Sequence, residues 1–88
     1  MDIDDWREKI DEINIKILEL LNERIEYVIK VGKMKKQKGL PLYSAERENE
    51  IFEMLFKANK GHLEEKNIRN IFERIIDESR DLQRKYCK

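Results

Sequence analysis

No proline and a single glycine, Gly32, interrupt this chain before Gly39-Leu40-Pro41. Over that stretch Trp6, Ile10, Ile13, Ile17, Leu20, Leu21, Val28 and Val31 recur at helical spacing. The spacing predicts one helix from about Asp4 to Lys38. Gly39 falls where a helix C-terminus favours glycine, and Pro41 blocks continuation. At 1.5 Å rise per residue such a helix is roughly 50 Å long. A compact domain of this length has a radius of gyration of about 12 Å and a diameter of roughly 30 Å. The helix therefore outruns its own globule and leaves an apolar stripe in water. A second copy laid along the stripe is the economical remedy. The alternative is a break at Gly32 that folds the helix back into a monomeric bundle, but no proline or turn residue flanks Gly32.

The remaining breakers cluster at Asn59-Lys60-Gly61-His62. Ser44 is placed to cap a second helix, expected over about 44–59 with Ile51, Phe52, Leu55 and Phe56 on its apolar face. A third helix is expected over about 64–85, with Ile68, Ile71, Phe72, Ile75, Ile76 and Leu82 inward. The chain thus reads as one all-α domain spanning 1–88, three helices with a long first one, intertwined as a homodimeric bundle.

Lys+Arg and Asp+Glu both number 19, so the net charge is zero although 43% of residues are charged. That balance removes the electrostatic reason to expect nucleic acid or an anionic membrane as partner. Lys33, Lys35, Lys36 and Lys38 do cluster, but a helix C-terminus favours cations through its dipole. Apolar runs are too short to span a bilayer. Cys87 is the sole cysteine, so no intrachain disulfide forms, as suits a reducing compartment. The first residues, Met-Asp-Ile-Asp-Asp-Trp, lack the basic and apolar regions of a secretory signal. The expectation is a complete cytoplasmic protein.

Polar residues that interrupt the apolar stripes carry the functional information, because an unpartnered buried charge is costly. On helix 1 the seven-residue series Ile10, Ile17, Arg24, Val31 places an arginine in an apolar seam, and Leu21, Val28, Lys35 ends in a lysine. Arg24 and Lys35 share a face about 16 Å apart along the axis. On helix 2 the stripe reaches back to Glu48, with Arg47 at its edge. On helix 3 it runs through Ile75 and Ile76 to Ser79 and Gln83. Each alone reads as a stripe edge or a buried ion pair such as Arg24–Glu48. All six together describe a polar pocket of net positive charge inside a bundle, with an anion as ligand. Arginine suits bidentate carboxylate binding. Arg7, about 42 Å from Lys35 along the axis, cannot join that pocket within one chain. It can join that of an antiparallel partner, and by spacing alone it reads as a surface arginine. His62 falls in a turn and reads as a surface residue.

The motifs Trp6-Arg7-Glu8-Lys9-Ile10-Asp11, Leu20-Leu21-Asn22-Glu23-Arg24, Val31-Gly32-Lys33-Met34-Lys35, Glu46-Arg47-Glu48 after Pro41, and Ile75-Ile76-Asp77-Glu78-Ser79 followed by Gln83 resemble in order and spacing the all-α chorismate mutase family. The resemblance covers nearly the whole chain. It implies a dimer of three-helix chains with interlocked long helices, no cofactor and no metal, and the rearrangement of chorismate to prephenate in phenylalanine and tyrosine synthesis. It further implies that Arg24, and Arg7 of a partner subunit, hold the two substrate carboxylates. Lys35 and Gln83 would donate to the ether oxygen, and Glu48 would accept from the ring hydroxyl. Arg47 and Ser79 would support the carboxylate side. Ser44 departs from the family, which often has an acidic residue there that meets substrate partly through its backbone N–H. A serine still presents that N–H.

Two other functions fit parts of the pattern. Isochorismate-pyruvate lyase shares the fold and cationic pocket, but tends to lack a carboxylate where this chain has Glu48. A non-catalytic helical dimerisation or binding module explains the long helix but not the convergence of Lys35, Glu48 and Gln83. No feature of the sequence identifies a partner enzyme.

Overall fold

The computed structural model describes all 88 residues. It contains three helices and no strand: α1 (Ile3–Gln37), α2 (Ala45–Ala58) and α3 (Glu65–Tyr86). Helix α1 begins with a reciprocal cap. Asp2 Oδ1 accepts from the Asp5 N–H at 3.1 Å, and Asp5 Oδ2 accepts from the Asp2 N–H at 3.0 Å. It runs unbroken through Gly32, so the fold-back bundle does not form. At its end Gly39 takes φ +68°. There the Gly39 N–H donates to the Lys36 carbonyl at 3.1 Å and the Leu40 N–H to the Lys35 carbonyl at 2.8 Å. This paired closure satisfies two orphan carbonyls and needs the left-handed conformation that glycine adopts freely.

Ser44 caps α2, its Oγ accepting from the Arg47 N–H at 3.2 Å. Asn59 shapes the turn into α3, donating to the Leu63 carbonyl at 2.6 Å and accepting from the Gly61 N–H at 3.2 Å. His62 is exposed.

Helix α3 is the hub, since α1 and α2 each pack on it and not on one another. The core is small: Phe52, Ile68, Ile76 and Cys87 are its buried apolar residues. The Arg69 guanidinium covers the rings of Phe52 and Phe56 at 4.9 and 5.3 Å. Gly32 is the one buried residue of α1. A β-carbon there would stand 2.6 Å from Cys87 Sγ and 2.7 Å from Gln83 Cγ, so this glycine is what lets α3 approach.

The molecule measures 55 × 25 × 16 Å, with a radius of gyration of 16.0 Å against about 12 Å for a compact chain of this length. The excess is the N-terminal half of α1. Every residue up to Leu20 is exposed, including Trp6 (54%), Ile10 (55%), Ile13 (53%) and Ile17 (47%). One residue expected inward on α3 is not: Ile71 is 46% exposed. It faces a groove between α1 and α3 that Ile17, Leu21, Ile25, Ile75 and Leu82 also line. Within one chain nothing covers that groove.

Candidate active site

The C-terminal half of α1, the start of α2 and the C-terminal half of α3 line an open cavity of about 310 Å³. Arg24 and Lys35 reach it from α1, Ser44 from the cap of α2, Arg47 and Glu48 from its first turn, and Ser79 and Gln83 from α3. Val28, Val31, Ile51 and Ile76 supply apolar wall. Helical spacing explains the grouping, because Arg24, Val28, Val31 and Lys35 advance in steps of three and four along one face.

Each α1 and α3 side chain is held by a named partner. Arg24 Nη1 donates to Ser79 Oγ at 2.8 Å, and Ser79 Oγ donates to the Ile75 carbonyl at 2.6 Å. Gln83 Nε2 donates to the Val28 carbonyl at 2.9 Å, which leaves the second amide N–H without a protein partner. Lys35 Nζ donates to the Leu42 carbonyl at 3.1 Å. That bond pins the α1–α2 loop and leaves the ammonium with further donors.

The electrostatics are lopsided. The Arg24–Glu48 ion pair that spacing allows does not form. Glu48 pairs with Arg80 of α3 instead. Neither Arg24 nor Lys35 has a carboxylate within ion-pair distance. Burial pushes the Arg24 pKa down from its usual value, and the neighbouring Arg47 charge adds to the effect. A cation disfavoured by desolvation and by a second cation, with no counter-ion, is electrostatically suited to an anion. Arg47 itself turns partly outward, pairing with Glu50 at 3.3 Å.

Arg7 is the one expected residue that the chain does not bring to the cavity. It lies on the exposed first turns of α1, bridged to Asp4 at 3.6 Å. Three cavity residues with polar side chains escaped the sequence reading: Tyr27, Tyr43 and Arg80. Arg80 is the consequential one, and the signal was indirect: a carboxylate at Glu48 in a cationic pocket needs a partner.

The family model for chorismate mutase type II matches residues 6–84. The chain belongs to that family. Among curated relatives, the chorismate mutase of Methanocaldococcus jannaschii is 40% identical over 83 residues, covering 93% of this chain and 84% of that protein. The bifunctional chorismate mutase/prephenate dehydratase of Aquifex aeolicus is 34% identical over 88 residues, which span 96% of this chain but 24% of that longer protein. The fold agrees. Chorismate mutase (form II) from Thermus thermophilus superposes with a TM-score of 0.91 at 35% identity, covering 93% of both chains. The Helicobacter pylori chorismate mutase, solved in complex with prephenate, gives 0.89 at 25% identity, covering 96% of this chain and 91% of that one.

Proposed function

We propose that the chain converts chorismate to prephenate by electrostatic and conformational stabilisation, without a covalent intermediate. The observation that carries this reading is the pair of uncompensated cations, Arg24 and Lys35, facing one cavity together with Gln83 and Glu48. The substrate is a dianion. Arg24 clamps one carboxylate, with Arg47 and Ser79 in support and the backbone N–H groups at the Ser44 cap nearby. Glu48 accepts from the ring hydroxyl. Holding both ends of the molecule selects the folded conformer in which the new C–C bond forms.

As the ether C–O bond breaks, negative charge grows on its oxygen. The Lys35 ammonium and the free N–H of Gln83 oppose that charge from fixed positions, so little reorganisation is needed during the step. The rearrangement is intramolecular: one bond breaks, one forms, and no group leaves. This is why cations and amides suffice as the working groups.

The second carboxylate is held by Arg7 of the partner subunit in a homodimer. The support is geometric. An antiparallel α1 covers the exposed stripe of Trp6, Ile10, Ile13 and Ile17 and fills the groove beside Ile71. It also carries its Arg7 toward the far end of the first chain's α1. The buried free thiol of Cys87 fits a reducing cytoplasm. No helix is long and apolar enough to cross a membrane.

The test is direct. Purified protein incubated with chorismate is followed by the loss of chorismate absorbance and by prephenate formation. A parallel incubation with isochorismate yields no salicylate. Unchanged chorismate would overturn the reading, and salicylate would move it to the lyase.

A further inference from the structure

We infer that Arg80 is a positioning residue of this site, holding the Glu48 carboxylate in place for the substrate hydroxyl and shielding its charge from the incoming dianion. The inference rests on the chorismate reading, because it takes Glu48 as the acceptor of that hydroxyl.

On its own helix Arg80 has an ordinary surface partner, Asp77, at 3.7 Å. Its guanidinium nevertheless reaches across to α2, where Nη2 donates to Glu48 Oε2. It also rests on the ring of Tyr43, 4.9 Å from the centroid. One guanidinium thus joins α3, α2 and the loop between α1 and α2 at the edge of the cavity. Its side chain is 28% exposed, and that of Glu48 27%. The hydrogen bond to Glu48 raises the Arg80 pKa, against the opposing effect of burial.

The consequence for Glu48 follows from its two oxygens. Arg80 occupies Oε2, and Oε1 carries no hydrogen bond from the chain. A carboxylate fixed by one oxygen presents the other in a set direction. The same contact answers an electrostatic problem. A cavity built for a dianion contains a carboxylate, and an adjacent cation offsets the repulsion between them. Lysine would keep the charge but lose the planar fork and the stacking on Tyr43.

A double-mutant cycle on chorismate turnover separates this role from a scaffolding one. R80Q is expected to lower kcat/KM by about tenfold, the size of a strong coupling between contacting residues, mainly through KM. In an E48Q background the same substitution is expected to change kcat/KM by less than about twofold, because the residue it positions is already lost. Equal losses in the two backgrounds would overturn the inference. Should R80Q fail to fold, the cycle is run with R80K, which keeps the cation, and a coupling to Glu48 of the same sign is expected; additivity there overturns the inference equally. A wild-type protein that leaves chorismate untouched would instead defeat the functional reading itself.

Discussion

The side chain of Gln83 lies over Gly32 so closely that a β-carbon on that glycine would stand 2.7 Å from Gln83 Cγ and 3.1 Å from its Nε2. The Val28 carbonyl, one turn earlier on α1, takes the amide N–H at 2.9 Å. Two consecutive turns of α1 therefore set where Gln83 sits, one by absence of a side chain and one by a hydrogen bond.

Gly32→Ala tests that relationship. Helix propensity alone favours alanine by roughly 1 kcal/mol, but overpacking at a close helix contact costs about 1–3 kcal/mol. Gln83 Cγ lies mid-chain, and Cys87 Sγ ends a short buried side chain with a single rotatable bond, so neither swings away freely. The expected result is a lower thermal midpoint, together with a loss of turnover of up to about 10²-fold from displacement of the amide. Unfolding by circular dichroism and a chorismate assay read the two effects separately.

Lys35→Ala removes the cation proposed to face the breaking ether bond. Loss of one preorganised donor typically costs about 10²- to 10³-fold in rate. The lysine is half-buried and has no ion-pair partner, so the helical circular dichroism spectrum is expected to persist. Turnover near the wild-type rate would exclude Lys35 from the chemistry.

Much of this arrangement was legible in the sequence. The long first helix followed from the lack of breakers before Gly39. The polar interruptions Arg24, Lys35, Glu48, Ser79 and Gln83 stood out because apolar periodicity made them exceptions. What was not legible depended on tertiary packing. Arg80 follows Asp77 by one turn and resembles an ordinary surface pair, and only the packing of α2 on α3 brings it to Glu48. Gly32 reads as a possible hinge until α3 is seen pressed against it. Ile71 belongs to the helical stripe by spacing, yet faces an open groove, because periodicity marks an apolar face and not which chain covers it.

The pH dependence follows from the proposed donor, the Gln83 amide. An amide donates at any pH, whereas a carboxyl donates only when protonated. Arg24 and Arg80 shift in opposite directions, and both stay cationic across the working range. Turnover is therefore expected to vary little between about pH 5 and 9 for the wild type. Gln83→Glu is expected to be active at acid pH and to lose activity as pH rises. A steep alkaline loss in the wild type would count against Gln83 as the donor.

The electropositive cavity also predicts a stability effect. Charged Arg24 is held in an unfavourable environment, and a bound dianion relieves it. Prephenate at 100 times its dissociation constant stabilises the folded state by about 2.7 kcal/mol through mass action. The thermal midpoint is expected to rise with prephenate in the wild type and to move much less in Arg24→Met.

The most direct test of the account asks whether each cavity is completed by another copy of the chain. Arg7→Ala and Lys35→Ala, each expected to be an inactive homodimer, are prepared separately, then unfolded together in equal amounts and refolded. Half of the dimers are mixed, and in each of those one cavity has both Lys35 and Arg7 of the partner subunit intact. Recovery of about a quarter of wild-type activity is the predicted result for a two-fold dimer with shared sites. Activity no greater than the sum of the two separate variants would contradict it.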